Sequence, residues 1–583
     1  MKTEAPARTL RVSVGQRSER GRKAVNQDFH GVFVPEEPQL SSKGIAVALA
    51  DGVSSSEVSR IAAEFAVHGL VDDYYCTSDA WSVKKSVERV IDATNSWLHA
   101  KTRQSQYRYD KEKGYVCTLA GLIVKSTTAH VFHVGDTRVY RVHGGSLEQL
   151  TNDHRVWVSE DQSYLSRAVG FNPTIEIDYE AHPVERGDLF LLATDGVHEH
   201  VTPSFIVDAI RTGRADLDAA AKRIVEEAYR RGSGDNLTVQ IVAIDDVPDH
   251  GAGEIRKQAS GLALPPLLHP RTELDGYRIV REIHGSSRSH IYLALDGDSD
   301  APVVLKTPSV DLSGDAAYLE RFLMEEWVAR RIASAHVLKA RPPTRPRRAL
   351  YVVTEYVDGQ TLAQWMIDNP RPDADTVRRI VEQIAKGLQA FHRLEMVHQD
   401  LRPANVMIDR TGTVKIIDFG ATRVAGIAEM DSPLDREGVL GTEQYAAPEY
   451  FLGETGTAQS DLFSLGVIAY QMLSGRLPYG AEVSRARTVA AQRRLRYESV
   501  LDEDREIPAW IDEVLRKAVH PDPSRRHETL SEFVYDLRHP SADFVNRTRP
   551  TLLDRNPALF WKGVSAVLAV VIFVMLFVHY ALP

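Results

Sequence analysis

Followed as apolar and polar stretches, the chain opens with short, almost uninterrupted apolar runs that stop at acidic turns. IAVALADG (45–52) and LFLLATDG (189–196) predict strands buried on both faces, each ending in Asp-Gly, and GSGDNLTVQIVAI (232–244) predicts a strand starting just after Asp235. Residues 247–272 break the alternation with glycine, proline and mixed polar residues, which reads as a linker. Beyond it, VMI (406–408) and VKII (414–417) flank the turn-like Asp409-Arg410-Thr411-Gly412 and predict a hairpin whose second strand stops at Asp418-Phe419-Gly420. From Gly563 the sequence GVSAVLAVVIFVMLFVHYALP is apolar all round, and about 20 such helical residues suffice to cross a bilayer core.

One hydrophobic core does not extend over 583 residues, so at least two folded units are expected. The predicted order is a domain at 1–246, a linker at 247–272, a domain at 273–540, a juxtamembrane tether at 541–560 and a membrane anchor at 561–583. A charged fraction of 26% and a hydrophobic fraction of 43% are those of globular protein and exclude a disordered or fibrous chain. The net charge of −10 argues against nucleic acid as a partner. With only Cys76 and Cys117 there is no disulfide framework, which points to a reducing compartment, and no Cys/His cluster suggests zinc. The N-terminal residues lack the apolar core of a signal peptide. Arg547, Arg549, Arg555 and Lys562 precede the apolar stretch and only His579 follows it, so the expectation is a single-pass protein of the cytoplasmic (inner) membrane with its domains in the cytosol.

Carboxylates at strand ends converge on a sheet edge, so Asp51, Asp195 and Asp235 can share hard cations, with the backbone carbonyl of Gly52 as a further ligand. Two such ions would activate a bridging water for attack on a phosphate. This spacing resembles the type-2C metal-dependent protein phosphatases across about 10–245, with Asn26-Gln27-Asp28, Gly135-Asp136-Thr137-Arg138, Thr151-Asn152-Asp153-His154 and Asp235-Asn236 in family order. The resemblance implies an α/β/β/α sandwich and two or three Mg²⁺ or Mn²⁺ ions. It further implies that Asp28 holds metal-bound water, that Asp136 serves a third metal, and that Arg22 or Lys23 binds substrate phosphate. Gln27 departs from the family's frequent Glu, and Val53-Ser54-Ser55 stands where small glycines or a protonating His usually occur. His133, His182, His198 and His200 read as structural or surface residues.

The stretch VHQDLRPANVMI (397–408) sets a polar knot between apolar runs. Asn405 and Asp418, brought together by the predicted hairpin, supply two oxygens for Mg²⁺ on a triphosphate, and Asp400 can take a proton from an attacking hydroxyl. With Asp418-Phe419-Gly420 and AAPE (446–449), the region 273–540 resembles the Ser/Thr protein kinases of bacterial type, which implies a bilobal fold and ATP as cosubstrate. By that resemblance Lys306 holds phosphate, Glu325 is its ion-pair partner with Glu326 as runner-up, and Thr354-Glu355-Tyr356-Val357 forms the adenine hinge through Glu355 and Val357. Asp461 and Arg526 match structural positions. Arg402 stands for the usual catalytic-loop Lys, and Gln399 replaces the arginine before Asp400, which argues against loop phosphorylation as the main switch. His284, Ser286 and Ser289 occupy the glycine positions of the phosphate loop, where serine allows only part of the close approach glycine gives, so Ser286 is the loop's candidate contact to ATP. Thr422, Ser432 and Thr442 are candidate phosphorylation sites.

Together these readings predict a bifunctional, membrane-anchored enzyme that phosphorylates proteins on Ser/Thr with ATP and dephosphorylates phospho-Ser/Thr proteins, itself among its substrates. The competing expectations are an active phosphatase governed by a nucleotide-binding pseudokinase, and a membrane scaffold with both sites inactive.

Overall fold

The buried runs become strands of two stacked sheets. The computed structural model describes residues 9–143, 145–159, 162–248, 262–286, 288–312, 315–341, 345–429, 444–501, 507–541, 544–545 and 557–581. Half of the expected linker and most of the expected tether, as well as Ser432 and Thr442, lie outside them. Two compact units emerge, Met1–Val357 with Ala390–Gln399 and Asp418–Leu440, and Asp358–Gln389 with Asp400–Ile417 and Gly441–Pro583. The first unit therefore unites the expected phosphatase region with the leading part of the second domain.

In the first unit, strands β1 (Arg11–Glu19), β2 (Phe29–Phe33), β3 (Ile45–Ala50), β4 (Leu119–Lys125), β5 (Thr128–Val134), β6 (Arg138–His143), β7 (Ser146–Gln149), β10 (Asp178–Pro183), β11 (Leu189–Ala193) and β12 (Leu237–Asp246) build two antiparallel sheets, while β8 (Arg155–Ser159) and β9 (Gln162–Leu165) form a separate hairpin. The orders are β1-β12-β11-β6-β7 and β10-β5-β4-β3-β2. Side chains such as Val47, Leu122, Phe190 and Val242 fill the space between the sheets. The outer faces are covered by helices: α1 (Gln39–Lys43), α2 (Ser59–Val71) and α3 (Val83–Gln104) lie in the half with β3 and β4, and α4 (Asp195–His198), α5 (Pro203–Thr212) and α6 (Leu217–Arg230) in the half with β11 and β12. Because every central strand has a helix on one side and a sheet on the other, β3 and β11 read as continuous apolar runs although their pairing is antiparallel.

The pairing places the acidic turns. β11 and β12 run antiparallel with Ala193 opposite Val239, so Asp195, just past β11, and Asp235, just before β12, leave the sheet at the same edge. Asp51 follows β3 directly.

The rest of the first unit holds an antiparallel sheet in the order of its strands, β13 (Glu273–Leu274), β14 (Tyr277–Gly285), β15 (Ser289–Asp296), β16 (Pro302–Pro308) and β17 (Val352–Glu355). Helix Ala316–Arg331 follows β16, and Met396–Val397 pairs with Arg423–Val424 ahead of the short helix Ala425–Ala428. The second unit contains the hairpin of Val406–Asp409 and Val414–Ile416, and helices including Ala458–Ser474, whose N-terminus carries a reciprocal Thr457/Ser460 cap. A buried pair, Arg526 with Glu449, spans 77 residues of sequence at 2.7 and 2.9 Å. Among the described residues one helix, Pro557–Ala581, is long and apolar enough to cross a membrane, and its window Phe560–Phe577 buries nothing against the protein.

Candidate active sites

Five carboxylates meet at the strand ends of the first domain. Burial pushes Asp51 well above the ordinary carboxylate range, and Asp28, Asp195, Asp136 and Asp235 each raise it further. Asp195 rises to about 7, through burial first and then repulsion from Asp136 and Asp235. Asp28 rises to about 6 by burial, although hydroxyls of Thr238 (2.6 Å) and Thr194 (3.1 Å) donate to its Oδ2. Its Oδ1 receives no hydrogen bond from any described residue. A buried, unsatisfied carboxylate oxygen among acidic neighbours is a donor set that fits a hard cation.

Local geometry fixes each ligand. Asp51 is held through its backbone, its N–H donating to Thr118 Oγ1 (3.0 Å) and its carbonyl accepting from Thr118 N–H (2.8 Å). A Cβ on Gly52 would come within 2.8 Å of Ser59 and 2.9 Å of the Gln27 carbonyl, so only glycine lets that backbone pass. Asn236 caps the turn beyond Asp235, its Oδ1 accepting from Gln27 N–H (2.9 Å) and its amide donating to the Arg20 and Val25 carbonyls (both 3.0 Å). Asp136 is anchored by His198, whose Nε2 donates to the Asp136 carbonyl at 3.0 Å. His154 is likewise structural, accepting from Gly135 N–H at 3.1 Å and donating to Asp178 at 3.0 Å.

Two cations of the protein border this cluster. Lys23 Nζ lies 3.2 Å from Asp235 Oδ1 and donates to Ser54 at 2.9 Å, whereas Arg22 turns away to the carbonyls of Ser233 (3.0 Å) and Tyr229 (3.2 Å). Arg155, which the sequence reading passed over, reaches into the cluster. Its guanidinium contacts Asp136 at 2.6 Å, Asp195 at 2.9 Å and Glu199 at 2.6 Å. The one signal for it was a basic residue directly after the Asp153-His154 pair.

In the second domain's leading part, Lys306 on β16 meets Glu325 at 2.6 Å and Asp418 at 3.7 Å. Burial alone would lower the Lys306 ammonium, but Glu325 and Asp418 more than offset it and hold it above its ordinary value. Burial pushes Glu325 upward against the pull of Lys306. Glu326, the neighbouring acid, faces Arg347 at 2.7 Å and Arg330, away from Lys306. Asp418 sits in the left-handed region (φ 67°), a conformation that costs an aspartate on the order of 1 kcal/mol and persists only where the surroundings hold it. Here they do: Phe419 is fully buried against Phe391 (5.5 Å) and His398 (6.2 Å between rings).

In the phosphate loop, Ser286 closes the turn on itself. Its hydroxyl accepts from the N–H groups of Arg288 (3.2 Å) and Ser289 (3.1 Å) and donates to the Ser289 carbonyl (3.1 Å). Along the hinge, Glu355 and Lys339 exchange hydrogen bonds at 3.0 Å, and Thr354 and Val357 are buried. In the second unit, Asn405 is buried and its amide donates to the Asp400 carbonyl (2.9 Å) and to Asp400 Oδ2 (3.0 Å), with Arg402 Nε 3.6 Å from that oxygen. The Asn405 carbonyl accepts from Ile417 N–H at 2.8 Å, tying the knot to the hairpin.

The protein phosphatase 2C family model matches residues 15–229, and the protein kinase domain model matches 277–535. The chain joins a phosphatase 2C domain to a protein kinase domain. The kinase domain is 29% identical over 279 residues to the serine/threonine-protein kinase PrkC of Bacillus subtilis, covering 47% of this chain and 42% of that one. It is 34% identical over 256 residues to the PknA kinase of Corynebacterium glutamicum, covering 43% and 53%. The chain thus spans about half the length of the curated relatives it matches. The phosphatase domain overlaps the catalytic domain of the serine/threonine protein phosphatase PstP, solved with 2 manganese ions, at 23% identity, 41% of this chain, 100% of that one and a TM-score of 0.35.

Proposed function

We propose that the chain is a bifunctional enzyme which transfers phosphoryl groups from ATP to protein Ser/Thr residues in its kinase domain and removes them in its phosphatase domain. The observation that carries the phosphatase half is the gathering of Asp28, Asp51, Asp136 and Asp195 at one sheet edge, where burial first and neighbouring acids second raise their carboxyls and a hard cation would favour the ionised forms. Asp51, Asp195, Asp235 and the Gly52 carbonyl would hold two Mg²⁺ or Mn²⁺ ions, with Asp28 orienting what lies between them. Such ions supply a nucleophile at neutral pH and charge neutralisation on the phosphate. Lys23 stands at the rim to receive the phosphate, while Arg22 braces the turn from behind. Asp136, engaged by Arg155, is a weaker place for a third ion. Hydrolysis of an aryl phosphate with Mn²⁺ tests this half: the rate is expected to be lost in Asp195→Asn, and an unaltered rate would refute it.

In the kinase half, Lys306 orients the ATP phosphates, Glu325 holds Lys306, and Asn405 and Asp418 would hold Mg²⁺, whose role is to neutralise charge on the transferring group. Asp400, whose Oδ2 accepts from the Asn405 amide, would take the hydroxyl proton of the protein substrate, with Arg402 beside it. Glu355 and Val357 present backbone groups to the adenine. Transfer of label from ATP to a generic protein substrate is expected and is expected to vanish in Asp400→Asn. One observation favours a second reading. Ser286 spends loop N–H groups internally that a phosphate would otherwise take, which suits a nucleotide sensor that governs the phosphatase without transferring phosphate; transfer that depends on Asp400 excludes it.

Helix Pro557–Ala581 would anchor the protein in the cytoplasmic membrane with both domains in the cytosol, tested by protease protection in spheroplasts. The partners are proteins carrying Ser/Thr or phospho-Ser/Thr, this chain among them.

A further inference from the structure

One face of the phosphatase domain is built against kinase elements. Asp79, in the loop before α3, pairs with Arg331 at the last position of the helix that carries Glu325 (2.7 and 3.1 Å). Two kinase glutamates then cap α3. Glu395 accepts from the N–H and hydroxyl of Ser82 at 2.8 and 2.9 Å, and the Glu429 carboxylate accepts from Val83 N–H at 3.0 and 3.1 Å. The first N–H groups of a helix have no partner within it and favour an anion, so a 22-residue helix that receives two carboxylates from the neighbouring domain is oriented by them.

Lys125, at the end of β4, is 1% exposed; its ammonium donates to the Gly426 carbonyl at 2.6 Å and pairs with Glu429 at 3.1 Å. Gly426 N–H donates to the Ala80 carbonyl at 3.0 Å, and a Cβ there would lie 2.5 Å from the Asp79 carbonyl and 2.8 Å from that of Trp81. Trp81 Nε1 donates to the Arg393 carbonyl at 3.0 Å. A buried lysine facing a half-buried glutamate is costly to break, most of all from the glutamate's side, which would leave the lysine buried without its counter-charge.

We propose that the phosphatase domain doubles as a positioning clamp for the kinase: residues 79–83 and Lys125 hold the helix that carries Glu325 and the segment after Asp418, and so keep Lys306, Glu325 and Asp418 assembled. The gripped points flank that group. Arg331 lies six residues beyond Glu325 on one helix, about 9 Å at 1.5 Å per residue, and Gly426 follows Asp418 by eight residues. Each element is pinned on the phosphatase side while Lys306 meets Glu325 at 2.6 Å.

This rests on the kinase reading above, so the test uses the full chain with two separate readouts. Lys125→Met removes the buried cation, Gly426→Val wedges the contact open, and Asp79→Arg with Arg331→Asp reverses one ion pair while keeping it. Hydrogen exchange over 316–331 and 425–429 is expected to quicken in the first two variants and to stay near wild type in the charge reversal. The kcat for ADP release is expected to fall roughly tenfold in the first two, with KM for the protein substrate changed less than about twofold, and to recover in the charge reversal. Aryl phosphate hydrolysis serves as the folding control and is expected to stay at the wild-type rate. Unchanged exchange in both single variants would overturn the proposal, as would quickened exchange with kcat intact. A wild-type chain that releases no ADP would refute the kinase reading instead, and exchange would still decide the clamp.

Discussion

Arg155 and Asp195 form an ion pair of 2.9 Å inside the carboxylate cluster of the phosphatase domain, and the same guanidinium reaches Asp136 at 2.6 Å. A fixed positive charge therefore stands beside Asp136, the ligand through which the family resemblance implied a third metal. The wild-type chain, free of nucleotide, is expected to take up about two Mn²⁺ ions, and Arg155→Ala, with Asp136, Asp195 and Glu199 left uncompensated, about three. Calorimetric titration decides it; three ions in both chains would show that Arg155 yields to the metal.

The carboxylates also set a pH dependence. Asp28 and Asp195 have pKa values raised from 3.8 to about 6 and about 7, so between those limits the folded, metal-free domain binds more protons than the unfolded chain. Stability is then greatest below about pH 4 as far as these groups decide it, and it declines as pH rises through 6 and 7. In EDTA, the thermal midpoint of the phosphatase transition is expected to fall from pH 5.5 to pH 8, and Mn²⁺ at pH 8 to restore it. A midpoint in EDTA that rises over that interval would contradict the assignment.

Adjacent glutamates carry different work in the kinase domain. Glu325 meets Lys306, and Glu326 meets Arg347. Glu325→Gln is expected to lower kcat for phosphotransfer roughly a hundredfold, because misplacing a phosphate-orienting group is costly in the transition state, and it leaves Lys306 with Asp418 at 3.7 Å as a remaining partner. Glu326→Gln leaves the half-buried Arg347 without its carboxylate partner and is expected to cost roughly 2 kcal/mol of stability, with kcat within about threefold of wild type. Urea unfolding beside initial rates separates the two roles; a reversed pattern would exchange them.

Ser286→Gly frees the N–H groups of Arg288 and Ser289 from the serine hydroxyl. The KM for ATP is expected to fall roughly threefold to tenfold, since those N–H groups then point to phosphate instead of a side chain. An unchanged KM would mean that the loop takes no part in holding ATP.

The sequence showed some of this and hid the rest for identifiable reasons. β3 and β11 were legible because burial on both faces writes an unbroken apolar run, and their Asp-Gly ends marked Asp51 and Asp195 directly. Lys125 was not legible, because LIVK reads as a strand fraying into solvent, whereas its partner Glu429 is 304 residues further along. Arg155 was hidden likewise by partners 19, 40 and 44 residues away. Glu325 and Glu326 were told apart only by structure, since neighbours on a helix point about 100° apart and the sequence does not say which side faces β16. The contact at residues 79–83 is announced by no local pattern, since its partners lie more than 200 residues further along.

The central claim is that one chain both adds and removes phosphoryl groups, through two separate gatherings of carboxylates. Its most direct test is the phosphate retained by the full chain after incubation with radiolabelled ATP, Mg²⁺ and Mn²⁺, compared among wild type, Asp51→Asn and Asp400→Asn. The account predicts little label on wild type, several times more on Asp51→Asn, and none on Asp400→Asn. Equal label on wild type and Asp51→Asn, or label that survives Asp400→Asn, would contradict it.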